Sequence, residues 1–258
     1  MLPIRQSLAR SSNDRMHHQA AARAPRSNVA CLRLARKTEG LGEPGDVVLI
    51  GGATLVDFRI RTAQAHARHD FTPSHWSIVG ILSDIDELTT VPLGSISDPS
   101  AVPASNAVDR LPMATFDDPI TYPNFAVVRF PGDGARVLQQ VRALRRQRTI
   151  IDLPRLVLAW LAYVWGTAEG GDNPLVGGLG LPSAVLVETA FGMADVELTP
   201  GLASASSCPE AIWQAAKWWH QFYEAAAPVG SAADTEPAVP VGWWVVRQGR
   251  ASYIVPSA

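Results

Sequence analysis

Cysteine is scarce in this sequence: Cys31 and Cys208 are the two cysteines among 258 residues. Two cysteines so far apart provide neither a disulfide framework nor a CxxC pair of the kind that binds zinc. Long apolar runs are also missing, since the N-terminal part lacks the stretch of roughly 7–15 apolar residues found in secretory signals. No segment has the approximately 20 apolar residues that a membrane-spanning helix needs. We therefore expect no membrane span, and the cytoplasm as the compartment.

Basic residues are few outside the N-terminal tail. Residues 1–38 carry eight Lys and Arg against one Asp, a charge of +7, so the total of -2 leaves -9 for the rest of the chain. Nucleic-acid binding needs Lys and Arg clustered on the folded surface. Because the folded part is mildly acidic, we predict that nucleic acid is not a partner. The tail resembles a transit peptide in composition, and a disordered extension or a start codon placed too far upstream are the alternatives. We predict a basic extension over residues 1–38 and one domain over residues 39–258.

Hydrophobic patterning predicts an α+β fold with a small antiparallel sheet. Short apolar runs between turn residues predict strands, and apolar residues three or four positions apart predict helices. The predicted strands are residues 47–50, 74–82, 88–93 and 124–130, with a C-terminal hairpin of residues 242–246 and 252–255. The predicted helices are residues 54–69, 153–165 and 208–226, and a helix after the turn at residues 131–134 that carries Val137, Leu138, Val141 and Leu144 at helical spacing; residues 183–193 fit either a helix or a strand. Residues 94–118 have no periodicity and predict a long loop.

Cys208 stands where the last of these helices is predicted to begin. Ser207 and Glu210 have the S-x-x-E spacing of a capping box, which would make Cys208 the first helical residue. The unpaired amides and the positive end of the helix dipole favour a thiolate at such a position, and the same amides can hold an oxyanion. The alternative is a small buried residue that happens to lie at a helix start.

His75 is the histidine best placed to activate this cysteine. It opens a predicted strand directly after a proline-terminated loop, and rigid strand ends commonly present catalytic groups. The alternative is a partly buried histidine that packs beside Trp76. His66 and His69 have a spacing that hints at metal binding, but the sequence offers only Asp70 and His75 as further ligands nearby, and we predict no metal.

Four segments together resemble the permuted NlpC-type, papain-like cysteine hydrolases, which are related to lecithin:retinol acyltransferase-like enzymes. They are residues 44–49 (PGDVVL), 74–81 (SHWSIVGI), 127–129 (VVR) and 207–212 (SCPEAI), and the resemblance spans residues 43–225. In that family the histidine comes early in the chain and the cysteine late. The resemblance implies a permuted papain-like fold, in which Cys208 is the nucleophile, His75 the base and Asp46 a structural residue at a strand start.

The chain departs from the family at the third catalytic residue, which is usually a polar residue, often Glu, on the strand beside the histidine. If residues 75–83 pair with residues 87–95 around the turn at 84–86, His75 faces Ser95. Glu87 would then lie at the far end of the hairpin, roughly 25 Å away at about 3.3 Å per residue. Ser95 is therefore the residue predicted at this place, and it is a weak substitute for a carboxylate. The alternatives are that a residue from elsewhere supplies the third group, that the dyad works without one, or that the enzyme is impaired.

The implied reaction is attack of Cys208 on an amide or ester carbonyl, with a thioacyl intermediate and no cofactor. The resemblance implies peptides, peptidoglycan-type peptides or lipid acyl groups as substrates. A binding or regulatory module with impaired chemistry and a lipid acyltransferase are the alternatives.

Overall fold

A computed structural model describes residues 27–68, 70–96, 99–148, 150–166, 172–226 and 240–247. Within these ranges it contains six α-helices and six β-strands. The helices are α1 (Asn28–Glu39), α2 (Leu55–Ala63), α3 (Gly134–Arg146), α4 (Leu153–Trp165), α5 (Pro182–Gly192) and α6 (Pro209–Ala226). The strands are β1 (Val47–Gly51), β2 (Ile78–Asp84), β3 (Glu87–Thr90), β4 (Asp109–Pro112), β5 (Asn124–Arg129) and β6 (Val241–Val246).

The six strands form one antiparallel sheet in the order β4-β3-β2-β1-β5-β6. The central strand β1 is buried at every residue because both faces of the sheet are covered. Its side chains alternate between the faces, with Val47 and Leu49 in one hydrophobic cluster and Val48 and Ile50 in the other. The predicted α+β class with an antiparallel sheet is confirmed.

The larger hydrophobic cluster lies on the face of the sheet that carries the helices α3, α4, α5 and α6. Trp160 of α4, Val187 of α5 and Ile212 of α6 belong to it, as does Cys208. Each of these residues is 2% exposed or less. The indole N–H of Trp160 donates to the Gly180 carbonyl at 2.9 Å, which satisfies the one polar group of that side chain. Because Ile212 of α6 belongs to this cluster, the helix that follows Cys208 is anchored against the sheet.

The opposite face of the sheet is covered by α1, so the predicted boundary between residues 38 and 39 falls inside a folded helix. Ser27 caps this helix by accepting a hydrogen bond from Ala30 N. Leu32 and Cys31 are fully buried, and Asn28 Nδ2 donates to two backbone carbonyls of the 112–122 region at 2.8 Å. Residues 28–38 thus belong to the folded domain, while residues 1–26 lie outside the described residues.

Arg247, directly after β6, connects this face to the neighbouring strand and to the first helix. Its guanidinium donates from Nη1 to Asn28 Oδ1 at 3.0 Å and to the Pro123 carbonyl at 2.9 Å, and from Nη2 to Cys31 Sγ at 3.0 Å. Its backbone N–H donates to Asn124 Oδ1 at 3.0 Å. The edge strand β6 and α1 are therefore joined by specific polar contacts as well as by apolar packing.

Asp46 has a structural role just before β1, which is the role that the resemblance implies for it. It is 3% exposed, and its carboxylate accepts hydrogen bonds from the backbone N–H groups of Gly42 and Glu43 at 2.7 and 3.0 Å. Arg129, at the end of β5, adds a bidentate pair at 2.7 and 2.8 Å. The first and third sequence motifs thus meet at one end of the sheet.

Three local predictions were wrong or incomplete. The predicted loop over residues 94–118 contains the edge strand β4, whose four residues are largely exposed and lack an apolar pattern. Residues 183–193 form a helix, α5. The strand β6 pairs with β5, and the predicted partner strand over residues 252–255 lies outside the described residues.

Candidate active site

Cys208 lies at the entrance to α6, one position earlier than predicted. The helix begins at Pro209, and the Cys208 carbonyl accepts the first helical hydrogen bond, from Ile212 N at 3.2 Å. Cys208 is therefore the residue that caps the helix, and Pro209 occupies the first helical position, where its missing N–H has no cost. Burial has the largest effect on the pKa of the Cys208 thiol and raises it, while the backbone N–H of Ala211 lowers it. The predicted placement of the thiol at the positive end of a helix is thus correct to within one residue.

The predicted capping box is wrong, because both of its side chains are engaged elsewhere. Ser207 Oγ donates to Glu188 Oε1 at 3.0 Å instead of capping α6. The Glu210 N–H donates to Gln64 Oε1 at 2.9 Å, and the Glu210 carboxylate contacts Arg68 and Ser74. Since Glu210 N–H is committed to Gln64, this amide does not offer the oxyanion contact that the sequence suggested.

The environment of Cys208 favours a thiol and not the expected thiolate. Cys208 is 2% exposed, and this burial is the main reason that its pKa rises from 9.0 to about 12. The Ala211 N–H opposes the rise, whereas the negative charges of Glu210 and Glu188 reinforce it. The dipole of α6 is therefore outweighed by desolvation, and the resting side chain is protonated at neutral pH.

His75 lies in the bend that leads into β2, not in the strand itself, because β2 begins at Ile78. The residue is half-buried, and its ring is in an edge-on arrangement with the Trp76 indole, with centroids 6.2 Å apart. Its carbonyl accepts a hydrogen bond from Asn124 Nδ2 at 3.2 Å. A Cβ on Gly51 would lie 1.9 Å from that carbonyl oxygen, so only glycine allows β1 to approach this closely.

A hydrogen bond joins the chain segments that carry His75 and Cys208. Ser74, directly before His75, donates from Oγ to Glu210 Oε2 at 2.5 Å, and Glu210 lies two positions after Cys208. The rings of Trp76 and Trp213 pack edge-on in the same region, with centroids 5.1 Å apart. The structure thus brings together the two segments that the sequence separates by more than a hundred positions.

Ser95 does not have the strand pairing from which its role was inferred. The register of β2 and β3 is the predicted one at Gly80↔Thr90, but the regular pairing ends there. Ser95 lies beyond it in the short 3₁₀ helix Leu93–Ser95, is exposed, and donates from Oγ to the Pro92 carbonyl at 3.3 Å. The chain turns away from the ladder after Thr90 because Pro92 cannot donate a ladder hydrogen bond. A catalytic role of Ser95 stays a prediction without that geometric support.

Sequence reasoning missed the two buried carboxylates next to Cys208. Glu188 is 4% exposed and Glu210 is fully buried. Glu188 accepts hydrogen bonds from Thr199 Oγ1 at 2.5 Å and Ser207 Oγ at 3.0 Å, and burial raises its pKa. A single acid inside the apolar run of residues 184–191 was the available signal for Glu188. Glu210 had been assigned to helix capping, which concealed its tertiary contacts.

A cavity of about 390 Å³ opens beside Glu188. Its lining includes Glu197, Val196, Leu202 and Ser204, so it mixes acidic and apolar groups. One of its lining residues, Glu188, accepts a hydrogen bond from Ser207, the residue directly before Cys208. A second cavity, of about 300 Å³, lies at the Asp46 end of the sheet and does not involve the residues around Cys208.

No three His, Cys, Asp or Glu side chains in the described part of the chain are grouped so that they could hold a metal ion. His66 Nδ1 lies 3.0 Å from the Ala63 carbonyl, and His69 falls outside the described residues. None of the helices within the described ranges combines the length and the hydropathy that crossing a bilayer requires. No protein-family model, no curated protein and no solved structure matches this chain significantly.

Proposed function

We propose that this chain is a cysteine-dependent hydrolase of the permuted papain-like kind, which cleaves an amide or ester bond through a thioacyl intermediate. The observation that supports this most is the bond from Ser74 to Glu210, because it joins the segment of the proposed base to the segment of the proposed nucleophile. The helix that follows Cys208 packs on an antiparallel sheet, and the histidine precedes the cysteine in the chain. Both features agree with the resemblance found in the sequence.

The proposed reaction has two halves. In the first, the Cys208 sulfur attacks the carbonyl carbon, His75 accepts the thiol proton, and the same proton passes to the departing amine or alcohol as its bond to carbon breaks. In the second, water attacks the thioester, His75 accepts a proton from it, and Cys208 leaves as the thiol with that proton returned. No cofactor takes part in either half.

The raised pKa of Cys208 shapes this proposal. A thiol whose pKa is about 12 has almost no thiolate at neutral pH, so its proton must leave during the attack. An acyl donor, which recruits His75 in the reacting step, is therefore a better probe than an alkylating agent that requires a preformed thiolate. Peptides, peptidoglycan-type peptides and lipid esters are the substrate classes to compare once acylation is established.

The test is a burst experiment with p-nitrophenyl acetate. We expect a stoichiometric burst of p-nitrophenol in the wild type, with one acetyl group on the Cys208 peptide by mass spectrometry. Cys208→Ala should abolish the burst, and His75→Ala should slow it by about 10²–10⁴-fold, the range of general-base effects. Cys31→Ala is the matched control, because Cys31 is the other buried cysteine and lies on α1. A burst that persists in Cys208→Ala would contradict the proposal.

A binding module without chemistry is the second candidate, and one observation favours it. Cys208 is 2% exposed with a raised pKa, which is also how a structural cysteine behaves. Such a module would show no acetylation of Cys208 by any acyl ester, and Cys208→Ala would leave its ligand binding unchanged. The burst experiment therefore separates the two functions.

A further inference from the structure

Two buried carboxylates lie near Cys208, and they hold different parts of the chain. Glu188 bonds Thr199 and Ser207, which precede Cys208 in one continuous segment. Glu210 bonds Ser74, on the distant segment that carries His75. Glu188 therefore fixes the approach to the cysteine, whereas Glu210 fixes the position of another element relative to it.

The Glu210 carboxylate accepts hydrogen bonds from three side chains. Its carboxylate accepts from Ser74 Oγ at 2.5 Å, from Gln214 Nε2 at 2.5 Å and from Arg68 Nη1. Arg68 is itself fixed by a bidentate pair with Asp70, with contacts of 3.0 and 3.1 Å. Charged bidentate pairs and bonds to a buried carboxylate hold their partners in a narrow range of positions. The loop that leads to His75 is thus tied to α6 at two residues, Arg68 and Ser74.

Ser74 is built into the bend next to His75. Its backbone N–H donates to the Arg61 carbonyl at 2.9 Å, and its carbonyl accepts from Arg61 Nε at 2.8 Å. Its Oγ accepts from Trp76 N at 2.9 Å while donating to Glu210. The hydroxyl therefore fixes the backbone on both sides of His75 and links it to α6 in a single group.

We propose that Glu210 is a positioning residue, which acts through the Ser74 hydroxyl to hold His75 at Cys208. This inference rests on the proposed function, since it assigns a means of aligning the base with the nucleophile. It requires no third catalytic side chain on the strand beside the histidine. In the family, a residue on that strand orients the histidine. Here Glu210, on the helix that follows Cys208, orients His75 instead.

The charge of Glu210 opposes ionisation of Cys208, and this disadvantage supports a positioning role for Glu210. A negative charge on Glu210 raises the pKa of the neighbouring Cys208 thiol, after the larger effect of burial. A fully buried carboxylate at this place therefore opposes ionisation of the nucleophile. Its bond to Ser74 provides a compensating role, because a small misplacement of a catalytic group is enough to slow a reaction strongly.

The experiment compares Ser74→Ala with Ser77→Ala, each made with His75 present and with His75→Ala. Ser77 is the matched control because it is a buried serine on the same bend, but its Oγ accepts from Gly52 N at 2.9 Å and donates to the Ile50 carbonyl at 3.4 Å, whereas Ser74 donates to Glu210. The readout is the rate of Cys208 acetylation by p-nitrophenyl acetate. We expect Ser74→Ala to lower this rate about tenfold or more when His75 is present and less than about twofold when it is absent. Ser77→Ala should change both backgrounds by the same factor.

Glu210→Gln and Glu210→Ala provide the second measurement. A glutamine can keep the link by donating from its amide to Ser74 Oγ, whereas alanine removes it. We expect Glu210→Gln to retain the His75-dependent part of the rate within about threefold and Glu210→Ala to lose it. These variants remain decisive if Ser74→Ala fails to fold.

Equal effects of Ser74→Ala in both His75 backgrounds would overturn the inference, as would full retention of the His75-dependent rate by Glu210→Ala. Neither result would affect the proposed function. That function fails instead if His75→Ala leaves the acetylation rate of the otherwise wild-type chain unchanged. The two failures are therefore distinguishable in one set of measurements.

Discussion

Replacing Cys208 by alanine should change how the stability of the protein depends on pH. In the folded chain the pKa of this thiol is about 12, while the ordinary value of 9.0 applies once the chain unfolds. A thiol with a raised folded pKa binds its proton more tightly in the native state. Its contribution to stability is therefore fully present below pH 9 and is lost as pH rises towards 12.

The size of the effect follows from these two values. At pH 10 the unfolded thiol is about 90% ionised and the folded thiol about 1%, which corresponds to a loss of about 1.4 kcal/mol relative to pH 7. We expect this loss in the wild type and not in Cys208→Ala. Whatever the alanine costs by removing the sulfur is present at both pH values and cancels in the comparison.

Urea unfolding followed by tryptophan fluorescence measures the difference. The free energy of unfolding is determined for both proteins at pH 7 and pH 10, and the change with pH is compared between them. Cys31, Tyr122 and Tyr163 also have pKa values raised by burial, but they titrate in both proteins and do not contribute to the difference. If the two proteins lose the same stability within about 0.5 kcal/mol, the desolvation argument for Cys208 is refuted.

Two further substitutions test the contacts that frame the site. Asp46→Ala removes the acceptor of four hydrogen bonds and should lower the free energy of unfolding by about 2–3 kcal/mol in urea titrations, whereas the exposed Glu43→Ala should change it by less than about 0.5 kcal/mol. Gly51→Ala places a Cβ 1.9 Å from the His75 carbonyl oxygen and should reduce the acetylation rate about tenfold or more. Gly94→Ala meets no atom within 4 Å and should leave that rate unchanged.

The sheet centre and most helices could be predicted from the sequence because their apolar residues follow the period of the element. The buried run of β1 and the spacing of Val137, Val141 and Leu144 in α3 are examples. The edge strand β4 has no such pattern, because Asp109 and Arg110 are exposed and its contacts with β3 are backbone pairing and the ion pair between Arg110 and Glu87. Its existence depends on a neighbour that sequence periodicity does not reveal.

The candidate site was predictable where chemistry is local and not where it depends on tertiary contacts. The position of Cys208 at a helix start follows from the residues around it. The state of its thiol does not, because burial in the tertiary fold raises the pKa and the charges of Glu210 and Glu188 raise it further. The capping-box spacing of Ser207 and Glu210 was a real pattern whose side chains found stronger partners elsewhere in the fold.

The bond between Arg247 and Asn28 spans 219 positions of the chain, and this separation has a kinetic meaning. During synthesis α1 and β5 leave the ribosome long before β6. Until β6 and Arg247 have been synthesised, Asn28 at the start of α1 and the edge of β5 lack the contacts that they have in the folded protein. Closing so large a loop is slow because its entropy must be lost before the contact stabilises anything. An exposed strand edge is in the meantime a template for wrong pairing with other chains. Folding yield at high expression should therefore depend on how fast β6 reaches β5.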